Sequence, residues 1–140
     1  MTSKRSSIGT YSPNSIRIAL AAVERDYDNL DTDEPFSTIE KLGLKSVPYN
    51  DVIEQGRGFP ARVVAAFLNI QVHSYTIDAA IVREARKWLI ECNDEYLVEI
   101  VLRLHIELRT FFLKRRIRRA LATARERFPS LRDLICRYER

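Results

Sequence analysis

The chain has 140 residues, of which 46% are hydrophobic and 30% are charged, and its formal net charge is +4. This length and apolar content predict one soluble globular domain with a core of its own. No apolar run approaches the roughly 18 to 20 residues that cross a bilayer, and the first residues lack the apolar block of a secretory signal, so we expect no export by that route.

The two cysteines carry no recognisable site. Cys92 and Cys136 lie far apart and show neither a CxxC motif nor a Cys/His spacing. We therefore predict two buried thiols in a reducing compartment, with no zinc site and no disulfide.

Charge is unevenly distributed along the chain. Residues 24–56 carry three basic against nine acidic side chains, whereas residues 114–140 carry ten basic against three acidic ones. The basic residues are 18 Arg and 5 Lys, a bias that favours planar, bidentate contacts with phosphate or carboxylate. The chain is thus polarised, with an acidic segment near its start and a basic end.

The first part of the chain predicts a flexible arm and then short helices. Residues 1–12 are polar, Ser/Thr-rich and basic, which is typical of a flexible arm. Ser12 followed by Pro13 predicts an N-cap with proline at the first helical position. Periodicity and capping signals predict helices over about residues 13–27, 35–42 and 47–55, the last opened by Ser46 and closed by Gly56.

The middle of the chain predicts a hinge and two longer helices. Two glycines flank Arg57 in the stretch GRGFP, which we interpret as a hinge between helices. The run 59–70 is almost wholly apolar and predicts a central buried helix. A break at QVHSY places His73 in a loop, and the next helix is expected to end near Cys92.

The last part predicts a long basic helix. Asp94 is a candidate N-cap, and neither glycine nor proline occurs from there to Phe128. One helix over these residues measures roughly 50 Å at 1.5 Å per residue, so we expect it to bend near residue 113 or to project. Pro129 ends it, and Ser130 with Asp133 predicts the start of a final helix by a capping-box pattern.

These elements predict an all-α fold. We expect a helical bundle with a short flexible N-terminal arm over residues 1–12 and one long C-terminal basic helix. A single helical domain over 13–140 then contains short helices in 13–56 and the bundle in 59–140.

The stretch FFLKRRIRRALATARERF at residues 111–128 carries the strongest functional signal. When its apolar residues face inward, six cations spread over the remaining surface: Lys114, Arg115, Arg116, Arg118, Arg119 and Arg125. No acidic residue lies between 108 and 125 to pair with them. The pattern predicts contact with a nucleic-acid backbone and weak sequence preference. An acidic protein surface, including the chain's own segment 24–40, and simple solvation are the alternatives.

Two other classes of function are less well supported. The region 47–70 has the order helix, glycine-bearing turn, helix, as in a helix-turn-helix regulator, but its second helix is nearly all apolar and offers few polar groups to base edges. His73 and His105 are the only histidines, and no triad, nucleophile elbow or metal spacing is present. We therefore expect no enzyme, no cofactor and no metal.

The arm MTSKRSSIGTYSPNS, the short helices after it and the helix KRRIRRALATARER give the chain an overall build that resembles the small helical coat proteins of filamentous archaeal viruses. Those families pair a basic N-terminal arm with a compact helical bundle, and many copies wrap DNA into a filament. The arm departs from that pattern in its shortness, because only two charges precede Tyr11 and most positive charge lies at the other end.

The resemblance implies a function and further binding residues. Many copies would coat a nucleic acid, expected to be DNA, and join through the apolar stripe and the acidic segment. The cations implied to neutralise phosphates are Lys4, Arg5, Arg17, Arg57, Arg62 and the 114–119 cluster. We expect a non-enzymatic, self-assembling capsid or nucleocapsid subunit in a virion or host cytoplasm. The alternative is a helical adaptor or oligomer whose basic helix binds an acidic partner.

Overall fold

The computed structural model of the chain describes residues 12–29, 41–42, 44, 47–73, 79–104 and 114–138. Within these ranges the backbone forms α-helices and short 3₁₀ helices and no strand, which confirms the predicted all-α class. The α-helices are α1 Pro13–Arg25, α2 Tyr49–Gln55, α3 Ala61–His73, α4 Ala79–Glu91, α5 Glu95–Arg103, α6 Lys114–Arg127 and α7 Arg132–Tyr138. None of the helices in these ranges has the length and apolar content needed to cross a membrane.

Contacts between Cα atoms divide the chain into two compact units, Met1–Tyr75 and Thr76–Arg140. In the first unit α1, α2 and α3 contact one another, and the 3₁₀ turn Gly56–Gly58 contacts all three. The flexible arm lies outside the described residues except for Ser12. The single domain over 13–140 and its bundle arrangement stay predictions.

Helix α1 begins where the sequence predicts. The Ser12 hydroxyl oxygen accepts a hydrogen bond from the Ser15 backbone N–H at 3.2 Å, and Pro13 occupies the first turn. The helix ends at Arg25, and a 3₁₀ turn, Tyr27–Asn29, follows it. Its buried face comprises Ile16, Ala19, Leu20, Ala22 and Val23.

Helix α2 starts later than predicted and ends as predicted. Pro48 is its N-cap and Tyr49 its first residue, while Ser46 lies outside the described residues. Gly56 forms the C-cap, which confirms the glycine stop. Of the helix predicted over 35–42, only residues 41 and 42 are described, and Lys41 is helical.

Helix α3 is the predicted central buried helix. Its buried side chains are Ala61, Val63, Val64, Ala65, Phe67, Leu68 and Ile70, and Arg62 is exposed. The helix continues to His73, so the predicted break before this histidine is wrong. A helix surrounded on most sides by core cannot also lie in a DNA groove, which argues against the helix-turn-helix alternative.

The second unit consists of α4 to α7 and a 3₁₀ turn, Pro129–Leu131. Helices α4, α6, α7 and α5 contact one another in that cyclic order. The Asp94 carboxylate accepts hydrogen bonds from the backbone N–H groups of Tyr96 at 3.0 Å and Leu97 at 3.4 Å, which confirms the predicted cap of α5.

The long helix predicted from residue 95 to 128 is wrong. Helix α5 ends at Arg103, because Leu104 adopts an extended conformation with φ −74° and ψ 142°. The Leu104 side chain is buried, so tertiary packing supports this break without glycine or proline. The basic helix α6 is a separate element of 14 residues, roughly 21 Å long at 1.5 Å per residue.

The chain end differs from its predicted capping box. Helix α7 begins at Arg132, and the Ser130 hydroxyl donates a hydrogen bond to the Glu95 carboxylate at the start of α5. The Tyr138 hydroxyl donates to the Leu102 carbonyl at 2.9 Å, which ties α7 to the end of α5. Cys92 is buried as predicted, but Cys136 is exposed, so the prediction of two buried thiols is half wrong.

The close packing around Gly56 in the first unit can be tested by substitution. A Cβ atom at Gly56 lies 2.5 Å from a methyl group of buried Val64 and 3.4 Å from one of Leu20, whereas a Cβ at Gly58 meets nothing within 4 Å. We expect Gly56→Ala to lower the free energy of unfolding by about 1–3 kcal/mol through overpacking, measured by urea unfolding with circular dichroism. The matched control Gly58→Ala should change it by less than about 1 kcal/mol; equal effects would contradict the packing.

Candidate nucleic-acid interface

Helix α6 has one buried face, and its exposed surface is rich in arginine. The buried side chains are Ile117, Ala120, Leu121 and Ala124. The exposed arginines of its first half are Arg115, Arg116, Arg118 and Arg119. Lys114 is the first residue of the helix. The arrangement that the helical periodicity predicts, with apolar residues inward and arginines outward, is therefore observed.

These arginines lack charge partners within the described parts of the second unit. No ion pair or hydrogen bond joins Arg115, Arg116, Arg118 or Arg119 to another described residue. Arg103, by comparison, donates to the Glu99 carboxylate at 2.9 Å. Arg125 is half-buried and donates to the Cys136 sulfur at 3.7 Å, so it is partly engaged inside the unit.

Helix α4 adds cations that the sequence analysis missed. Arg83, Arg86 and Lys87 of α4 line a groove with Arg116 of α6. The groove has a volume of about 350 Å³, and its other lining residues are Ile90 and Glu91. The spacing of Arg83 and Lys87, four residues apart on one helix face, was the available signal. The net charge of this segment does not reveal these cations, because it also contains the acidic residues Asp78, Glu84 and Glu91.

Arg127 serves the structure of this unit. Its guanidinium donates to the Cys92 carbonyl at 2.8 Å, just past the end of α4. Cys92 has a positive φ of 54°, the left-handed conformation in which a chain commonly leaves a helix. A cation near the carboxyl end of α4 also complements the helix dipole. This contact fixes the end of α6 beside the end of α4.

Each described cation of the first unit that was predicted to bind phosphate has a different environment in the structure. Arg17 on α1 donates to the Gln55 side chain. The Arg62 guanidinium lies 5.1 Å from the centre of the Tyr27 ring, a cation–π contact. Arg57 is exposed in the 3₁₀ turn. Lys4 and Arg5 lie outside the described residues, so their role stays a prediction.

Other chemistry is not evident in the parts of the chain that the structure describes. They contain no group of three or more His, Cys, Asp or Glu side chains that could hold a metal ion. His105 lies outside these parts, and of His73 only the backbone is described. No protein-family model, curated protein or solved structure that was compared with the chain matches it.

The reaction rates of the two thiols test whether Cys92 is buried at the junction between α4 and α6. Burial raises the pKa of the Cys92 thiol and outweighs the lowering by nearby Arg127, and the thiolate is the reactive form. In a Cys136→Ser variant, we therefore expect Cys92 to react slowly with a chromogenic disulfide reagent at pH 8. In a Cys92→Ala variant, exposed Cys136 should react fast.

Both variants should react at similar rates in denaturant, which provides the control. Raising the pH should accelerate the reaction of Cys92 over a higher pH range in the native protein than in denaturant, because the raised pKa of the buried thiol delays thiolate formation. Equal rates for the two thiols in the native protein would contradict the buried position of Cys92.

Proposed function

We propose that the chain is a non-enzymatic structural protein that binds the phosphate backbone of nucleic acid through α6 and assembles into a coat of many copies. The observation that carries this proposal is the row of four exposed arginines in the first half of α6, which have no partner among the described residues of their unit: Arg115, Arg116, Arg118 and Arg119. The contact is one of charge and shape, so binding has weak sequence preference.

The arginine arrangement is unfavourable for the isolated helix. Arg115 lies three and four residues before Arg118 and Arg119, and each like-charge pair at this spacing costs about 0.2–0.5 kcal/mol. The first turn of α6 contains no acidic residue, so its cations add to the positive end of the helix dipole. A bound phosphate removes both penalties, which supports an anionic ligand over simple solvation.

The assembly part of the proposal rests on the resemblance in overall build. The partner is expected to be DNA, and the site a virion or host cytoplasm. The acidic segment proposed to join neighbouring copies lies mostly outside the described residues, although Asp28 is exposed. A helical adaptor that binds an acidic protein surface is the alternative, and it requires no nucleic acid in the assembly.

Three substitutions test the backbone contact. We expect Arg115→Ala/Arg118→Ala/Arg119→Ala to weaken binding of duplexes of unrelated sequence equally. The dependence of log affinity on log salt should become shallower by about 2.7, because three phosphate contacts are lost. Fluorescence anisotropy across a salt series measures both quantities.

The matched control replaces the same three residues by lysine, which keeps the charge and should retain most of the salt dependence. An unchanged slope in the alanine variant would contradict the proposal. The mass and the ratio of absorbance at 260 and 280 nm, before and after nuclease, then test assembly. Nuclease-sensitive particles support a coat, whereas a small oligomer free of nucleic acid at every salt concentration supports the adaptor.

A further inference from the structure

The groove between α4 and α6 differs from the outer surface of α6. The outer surface carries exposed arginines of α6 alone, whereas in the groove cations from two helices converge on one volume of about 350 Å³. Four of its lining side chains are cationic and one, Glu91, is anionic. Such convergence is unfavourable without a ligand, because neighbouring positive charges repel one another.

The described interactions do not neutralise the groove. Arg83, Lys87 and Arg116 form no ion pair with any described residue, although Glu91 stands four residues after Lys87. Arg86 does have an interaction within the structure. Three cations from two helices therefore remain to bind an anion.

The order of side chains along α4 indicates what the anion is. Arg83 and Lys87 are followed one turn later by apolar Ile90 and the carboxylate of Glu91. The distance from Arg83 to Glu91 along the helix is about 12 Å at 1.5 Å per residue. A phosphate fits the cationic end, and the attached sugar can lie against apolar Ile90.

We propose that this groove is a phosphate-binding site that holds one backbone phosphate and its sugar from the nucleic acid, with Arg83, Lys87 and Arg116 as the phosphate-binding residues. The inference rests on the proposed function and deepens it. It divides the basic surface into a groove that fixes the strand and an outer face of α6 that neutralises further phosphates. A free oligophosphate shares this chemistry and therefore competes for the groove.

The test compares two double variants that remove equal charge from the second unit. Arg83→Ala/Lys87→Ala removes two groove cations. Arg132→Ala/Arg137→Ala removes two exposed cations of α7 that do not line the groove. All four substitutions are at exposed positions and place alanine, a strong helix former, in a helix, and circular dichroism checks the fold.

We expect the groove variant to bind a nucleic-acid oligonucleotide about tenfold to a hundredfold more weakly than the unsubstituted chain, since each lost charged hydrogen bond counts heavily. The α7 variant should lose much less. Inorganic tripolyphosphate should displace the oligonucleotide from the unsubstituted chain, and titration calorimetry should detect its binding there and not in the groove variant.

Each remaining outcome contradicts either the groove proposal or the proposed function. Equal weakening in both variants overturns the groove and leaves backbone binding through α6 standing. Loss of tripolyphosphate binding in the groove variant with unchanged oligonucleotide affinity overturns the groove as a nucleic-acid site. If the unsubstituted chain binds tripolyphosphate but no oligonucleotide, the groove is a phosphate site and the proposed function fails.

Discussion

The buried face of α6 determines where every arginine of that helix points. Burial of Ile117 and Leu121 contributes about 1.5–3 kcal/mol each, and the small side chains Ala120 and Ala124 allow neighbouring helices to approach closely. Rotation of the helix about its axis would expose these residues and bury guanidinium groups, whose desolvation is far more costly than any packing gain. The outward orientation of the arginines is therefore a consequence of core packing.

The same constraint acts on α4 and produces the groove. Ile81, Ala85 and Leu89 form its buried stripe, which leaves Arg83 and Lys87 on the exposed side. Because α4 and α6 pack against each other, the basic edge of one helix comes beside the basic edge of the other. Two ordinary amphipathic helices thus create a site with a charge density that neither helix has alone.

The features that the sequence predicted correctly are those determined by interactions between residues close together in the chain. The caps at Ser12 and Asp94, the stop at Gly56 and the polarity of α6 each depend on residues within a few positions of one another. The break at Leu104 has no local signal, because no glycine or proline marks it in the sequence and the structure shows the side chain buried. The groove was missed because its walls come from two segments about 30 residues apart in the chain.

The bias toward arginine is not uniformly a sign of ligand binding, because position decides what each guanidinium does. Arg127 shares its helix with Arg116, yet it donates to the Cys92 carbonyl and fixes the end of α4, whereas Arg116 lines the groove without a described partner. Genome composition can enrich arginine everywhere, but it does not place around one volume three cations that have no partner among the described residues. The convergence on the groove is therefore stronger support for an anionic ligand than the number of arginines.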